Sequence, residues 1–171
     1  MTPSRRLSQA ISEGDGISLI VPVELPEAAR AAEADGAEAL VAHGDAIAAI
    51  RAATSLPVVS YFARGAPAGD ACIVGADAEW EHLDGQDIEI VVRVEHEDEL
   101  EEALERHDPE IFVLACGESD ERLERVLDLL SDVPAGKLAI AELPGVTRAE
   151  IDELERAGCD AVLVGAATPA G

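Results

Sequence analysis

Aromatic side chains are nearly missing from this chain: two Phe, one Trp and one Tyr in 171 residues. Its apolar 48% is therefore mostly Ala, Val, Leu and Ile, the small and β-branched residues that fill parallel strands and the helices covering them. Positive charge is equally scarce. Twelve basic residues face 36 acidic ones, a net −24, which excludes nucleic acid and anionic membrane as partners. No apolar run approaches the roughly 20 residues of a membrane span. Residues 1–11 carry Arg5 and Arg6 but no apolar core of signal-peptide length. Cysteine is limited to Cys72, Cys116 and Cys159, odd in number and without CxxC spacing. That pattern excludes a disulfide framework and predicts reduced thiols in a cytoplasmic protein. The acidic runs 95–105 and 118–124 fall at helical spacing and read as solvated helix faces.

The most informative stretch is Gly158-Cys159-Asp160-Ala161-Val162-Leu163-Val164-Gly165-Ala166. A Gly closes a helix over 148–157, an apolar strand follows, and Gly165 ends it where a phosphate can approach bare backbone. Residues 35–44 repeat the grammar: helix end, Gly36, strand, Gly44. A helix–Gly–strand unit repeated along one chain predicts a parallel β/α barrel. Eight apolar runs read as strands, at 17–23, 37–43, 57–61, 71–75, 88–94, 110–115, 137–142 and 160–164. Helical patterns occupy 26–34, 45–53, 97–106, 119–131 and 147–157, with Leu123, Val126, Leu127 and Leu130 marking one apolar face. Between the third and fourth strands only the Gly- and Pro-rich 64–70 remains, and after the eighth only 166–171. The expectation is a single domain over 1–171. Its fold is α/β, a shortened (β/α)8 TIM barrel with a parallel eight-stranded sheet, lacking helix 8 and most of helix 3.

Several segments resemble the indole-3-glycerol phosphate synthase family. They are Arg6-Leu7-Ser8-Gln9-Ala10-Ile11 before Gly16-Ile17-Ser18-Leu19-Ile20, then Ser55-Leu56-Pro57-Val58-Val59, then 92–100, and finally Ala139-Ile140-Ala141-Glu142 with 157–165. The resemblance implies an N-terminal helix leading into the first strand, and a barrel lyase of tryptophan biosynthesis. It also implies catalytic Lys, Glu and Asn positions that this chain does not keep. Pro22 and Glu24 stand where the first strand would carry Glu and Lys, Tyr61 where the third would carry Lys, Arg93 where the fifth would carry Glu, and Ala115 where the sixth would carry Asn. Leu143 replaces a phosphate-binding Ser, and the sole lysine, Lys137, lies at the wrong end of its strand. Glu142 and Gly165 are kept.

The resemblance thus implies a barrel inactive in the family ring closure, a pseudoenzyme retaining a phosphorylated small molecule. The alternatives are a working carboxy-lyase of that type, another reaction using Glu24, Tyr61, Arg93 and Glu142, or a structural or regulatory subunit. Strand parity places Arg93, Val91 and Glu89 inside the barrel, with Ile88, Ile90, Val92 and Val94 facing helices. Arg93 is then expected to pair with Glu24 or Glu142, or to bind an anionic ligand. Gly145, Gly165 and Ala166 are candidate phosphate contacts through backbone N–H groups. His43, His96 and Cys116 lie near strand ends without metal-site spacing, so no metal and no cofactor is expected. His82 and His107 read as solvated, and Trp80 as a packing residue in a helix after the fourth strand. Without helix 8, Val162, Val164, Leu19, Val21 and Val23 would stand wet, each forgoing about 1.5–3 kcal/mol of burial. Leu7 and Ile11 cover part of that face in this reading, and a homodimer through the strand 8/strand 1 face covers the rest.

Overall fold

A computed structural model describes residues 7–13, 17–42, 45–61, 69–75, 88–106, 108–115, 121–143 and 146–163. The elements run α1 (Leu7–Glu13), β1 (Ser18–Pro22), α2 (Pro26–Ala34), β2 (Ala39–Val41), α3 (Ala46–Ala53), β3 (Val58–Tyr61), β4 (Ala71–Gly75), β5 (Glu89–Val94), α4 (Glu97–Arg106), β6 (Ile111–Ala115), α5 (Arg122–Asp132), β7 (Leu138–Glu142), α6 (Arg148–Ala157) and β8 (Ala161–Leu163). All eight strands are parallel, each pairs with the next, and β8 closes on β1. Followed once around, the strand registers return to β1 displaced by eight residues. That is the stagger at which eight tilted strands close. The fold is a shortened (β/α)8 barrel. Among the described residues no helix lies between β3 and β4 or after β8.

Period-two alternation sorts each strand between two cores. Ile20, Val41, Val59, Ile73, Val91, Val113, Ile140 and Leu163 fill the barrel interior. Their neighbours Val74, Val92, Val94, Leu114, Ala141 and Val162 turn outward onto Leu100, Val126, Leu129 and Leu154 of the helix layer. A second outer cluster joins Leu40 and Val58 to Ala29, Ile47 and Ile50 of α2 and α3. On α5 the face buries Val126 and Leu129, with Leu123, Leu127 and Leu130 half-buried beside them.

α1 plugs the N-terminal end of the barrel. Leu7 and Ile11 join the interior cluster, and the Ser8 backbone N–H and hydroxyl both donate to the Glu89 carboxylate of β5. These two residues therefore close the barrel floor and are not available for the outer face of β8 and β1. That face needs little cover: Val162 is fully buried, Val23 is buried, and Leu19 and Val21 are half-buried. Leu25 is the one large hydrophobic exposed among the described residues. Among the described residues none of the side chains expected to stand wet there is exposed, so the expected homodimer through that face has no support. Val164 and Trp80 lie outside the described residues.

The helix–Gly–strand repeat takes physical form at two turns. Gly158 caps α6 in the left-handed region at φ 98°, and Gly36 follows α2 at φ 100°. There a Cβ would be strained, and the chain turns directly into β8 or toward β2. At the other end of α6, Thr147 and Glu150 form a reciprocal capping box.

Strands β4 and β8 are entered through the same device. The Asp70 N–H donates to the Val58 carbonyl (2.7 Å) while its carboxylate accepts the Val58 N–H (2.9 Å). The Asp160 N–H donates to the Ala139 carbonyl (3.0 Å) while its carboxylate accepts the Ala139 N–H (2.9 Å). Each aspartate carbonyl then receives the next strand: Glu89 N–H on Asp70 and Ser18 N–H on Asp160. The sequences that follow, Asp70-Ala71-Cys72-Ile73-Val74-Gly75 and Asp160-Ala161-Val162-Leu163-Val164-Gly165, match at four of six positions. Two half-barrels of four strands thus end on one motif.

Candidate functional site at the C-terminal mouth

The inward positions at the C-terminal ends of the strands follow from the register. Arg93 on β5 lies beside Gly75 on β4 and Val113 on β6, and Ala115 lies beside Glu142 on β7. Parity turns Arg93, Gly75, Ala115 and Glu142 toward the axis, one residue type being absent-chained and one a methyl. Among the described residues, Gly75 beside Arg93 and Ala115 beside Glu142 put no long side chain next to the two charged groups. Arg93 Nε and Nη2 both donate to Glu142 Oε2, at 3.0 and 2.8 Å. Glu95, two residues past Arg93, brings Oε2 to 3.6 Å from Nη1. A guanidinium bound along one edge cannot rotate freely, so Glu142 fixes the plane in which Arg93 presents its donors.

A second arginine braces the loop behind this pair. Arg125, in the first turn of α5, donates from Nε and Nη2 to the Glu95 carbonyl at 3.2 and 3.0 Å. Its Nη1 meets Glu97 Oε1 at 3.3 Å, and its Nη2 lies 2.7 Å from His96 Nδ1. Because guanidinium only donates, that contact assigns His96 Nδ1 as the acceptor and leaves the ring proton on Nε2. Glu99 Oε1 accepts the Glu95 and His96 N–H groups at 2.8 and 3.1 Å, finishing the start of α4.

Of the residues singled out by sequence, Arg93 and Glu142 meet directly. Glu24 lies two residues beyond β1, exposed, with no ion pair to Arg93 among the described residues. Tyr61 ends β3 in register with Ile73. Leu143 is buried in the helix-layer core and faces away from the mouth. Gly145, Gly165, Ala166, His43, His82, His107 and Cys116 lie outside the described residues. His96 is tied to Arg125, and among the described residues no group of three His, Cys, Asp or Glu is disposed to hold a metal. Burial pushes the Cys159 thiol up to about 11, and its S–H donates to the Ala139 and Ala161 carbonyls, so it is no nucleophile. Glu95 and Arg125 escaped sequence reasoning. Glu95 had a signal, since it repeats the inward parity of Arg93; Arg125 had none, because its contacts span about thirty residues of chain.

No protein-family model matches this sequence, and no curated protein does. Solved structures do match. The N-acetylmannosamine-6-phosphate 2-epimerase from Clostridium perfringens aligns with a TM-score of 0.69 at 18% identity, over 88% of this chain and 87% of that one. A candidate phosphonomutase from Burkholderia cenocepacia J2315 gives 0.64 at 14% identity, over 87% of each chain. A 2,3-dimethylmalate lyase of the PEP mutase/isocitrate lyase superfamily gives 0.61 at 16%, over 93% of this chain and 79% of that one.

These findings overturn the resemblance to indole-3-glycerol phosphate synthase. The segments that carried it, apolar strands bracketed by Gly, are the general frame of such barrels, and the residues specific to that family are the ones missing here. The readings built on it fall as well: the inactive pseudoenzyme of tryptophan biosynthesis, the carboxy-lyase, and the structural or regulatory subunit. No described helix is long and apolar enough to cross a membrane.

Proposed function

We propose that this chain binds a phosphorylated small molecule at the C-terminal mouth of its barrel and performs isomerase- or lyase-type chemistry on it. The observation that carries the reading is the Arg93 guanidinium, oriented by Glu142 in a mouth whose adjoining inward positions are Gly75 and Ala115. In barrels of this kind the C-terminal face is where sites are built. Two structural neighbours support the substrate class: one is named for a sugar phosphate, and another for phosphonate chemistry. In this reading Arg93 recognises the anion, and Gly145, Gly165 and Ala166 add backbone N–H donors. The Glu142 carboxylate and the Tyr61 hydroxyl serve proton transfer, with Glu24 at the rim. No metal or cofactor is invoked. The whole of 1–171 forms the working domain, in the cytoplasm, where its buried Cys72 and Cys159 stay reduced.

Thermal melting with a panel of hexosamine and hexose 6-phosphates, against chloride at matched ionic strength, tests this. A true ligand at 100 times its Kd stabilises by about 2.7 kcal/mol. For a chain of this size that is a rise of roughly 5–10 °C. Arg93→Gln should abolish the rise while retaining a cooperative melt. No shift with any phosphorylated compound at millimolar concentration would sink the proposal.

A further inference from the structure

We infer that Tyr61 and Glu142 are matched proton-transfer groups on opposite sides of the mouth, and that together they invert a stereocentre beside the carbonyl group of a phosphorylated substrate. The inference rests on the phosphate-binding mouth proposed above. The placement comes from the strand registers, which repeat. Ile20 meets Ala39 as Val91 meets Ile111, and Leu40 meets Val58 as Phe112 meets Ala139. Val59 meets Ala71 as Ile140 meets Ala161, and Ala71 meets Glu89 as Ala161 meets Ser18. Every register of the first four strands thus recurs in the last four, and the aspartate clamps hold the matched residues Val58 and Ala139. The helices agree: α2 buries Ala29 and Ala32, and α4 buries Leu100 and Ala103, at the same offsets from Ile20 and Val91.

This two-fold relation makes Tyr61 the mate of Glu142. Each ends its strand, three residues past the clamped Val58 or Ala139. β3 and β7 are four strands apart in either direction around the closed sheet, so the two positions are diametrically opposed at one height. Strands about 4.8 Å apart and tilted by about 36° close into a cylinder about 15 Å across, which leaves a small ligand between them. The described inward positions of this level are Pro22, Tyr61, Gly75, Arg93, Ala115 and Glu142. Among them Tyr61 and Glu142 are the general acid–base types.

One group returns a proton to the face it took it from, whereas two groups on opposite faces invert the centre. The Glu142 carboxylate takes the hydrogen from the carbon beside the carbonyl, and the C–H electron pair moves onto the carbonyl oxygen as an enolate. The Tyr61 hydroxyl then gives its proton to the opposite face of that carbon as the carbonyl re-forms. Glu142 is left protonated and Tyr61 ionised, and exchange with water resets both. The other epimer follows the reverse course, with the Tyr61 phenolate as base.

The 6-phosphates of N-acetylglucosamine, N-acetylmannosamine, glucose and mannose, followed by proton NMR in D2O, test this on the wild type, Tyr61→Phe and Glu142→Gln. In one epimeric pair the wild type should place deuterium in the product while the remaining starting epimer keeps its hydrogen, from either direction. Each variant should slow conversion at least about a hundredfold. Tyr61→Phe should still exchange one epimer and Glu142→Gln only the other. Tyr61→Phe leaves the Arg93–Glu142 pair whole, so it carries the test even if Glu142→Gln does not melt cooperatively. Conversion at the wild-type rate in Tyr61→Phe would overturn the inference. So would a sugar phosphate that raises the melting temperature yet exchanges no hydrogen at that carbon, and both results spare the phosphate-binding mouth. No melting shift and no exchange with any of the four would overturn both.

Discussion

Gly69 is the residue at which backbone freedom matters most. It sits at φ 84°, and a Cβ there would lie 2.6 Å from the Val58 carbonyl oxygen. That oxygen is also the acceptor of the Asp70 N–H, so it cannot retreat without breaking the entry to β4. Gly36, at φ 100°, has nothing within 4 Å of the same built atom. The pair separates two effects that are usually mixed. Gly36→Ala carries only the left-handed penalty, about 1–2 kcal/mol. Gly69→Ala adds a clash with immobile backbone and should cost about 3 kcal/mol or more. Chemical denaturation of the two variants measures this directly, and equal losses would show that β3 and the turn before β4 yield more than their geometry implies.

At the scale of elements, the two aspartate clamps do the work of connections. Asp70 links β3 to β4 without a described helix between them, and Asp160 links β7 to β8 after α6. Removing either carboxylate leaves a strand N–H, that of Val58 or of Ala139, without its acceptor inside the sheet. The cost is about 1–3 kcal/mol. Asp70 also pairs with Arg51 at 2.9 Å, but that guanidinium is nearly half exposed and adds little. Asp70→Ala and Asp160→Ala should therefore lose similar stability in urea, and a twofold disparity would mean that the two clamps are alike in geometry only.

The elements themselves were largely legible in the sequence. The helices at 26–34 and 97–106 have the expected bounds, and each strand falls within two residues of its apolar run, because alternation and Gly or Pro punctuation are local signals. The clamps were not legible, since each joins residues 12 or 21 positions apart. The partner of Arg93 was legible only as a choice. Parity put it inside the barrel, but the selection of Glu142 over Glu24 depends on where β1 ends: Pro22 is its last residue, and Glu24 has already left the sheet. The family resemblance failed for a related reason. It was carried by strand framing, which the fold demands of any such barrel, and not by the mouth.

The whole molecule carries −24, and its 12 basic residues are too few to pair with 36 acidic ones. α4 shows the consequence locally: Glu97, Asp98, Glu99, Glu101, Glu102 and Glu105 share ten residues with one cation, Arg106, which pairs with Glu102. Like charges three or four apart on a helix each cost a few tenths of a kcal/mol. On α5 the neighbouring Glu121 holds the Glu124 carboxyl above its ordinary value. A group raised in this way favours the folded state when protonated, so its contribution is present at low pH and lost as pH rises through the carboxylate range. Salt relieves the same repulsion at neutral pH. The screening length falls from about 10 Å at 0.1 M to about 3 Å at 1 M, shorter than the spacing of most of these carboxylates. Relief of about 2–3 kcal/mol across the surface corresponds to a rise of roughly 5–10 °C in Tm. Melting in potassium chloride from 0.1 to 1 M should show that rise and little further change, because screening saturates once it is shorter than the charge spacing. An equal rise in sucrose at matched osmolality would assign the effect to surface exclusion and not to charge. The Arg93–Glu142 pair should weaken little over the same range, since Glu142 is only 14% exposed and partly buried pairs are screened least. Stability and ligand affinity should accordingly respond to salt in opposite senses. The fold tightens as its surface is screened, while phosphate, which approaches Arg93 from solvent, binds more weakly.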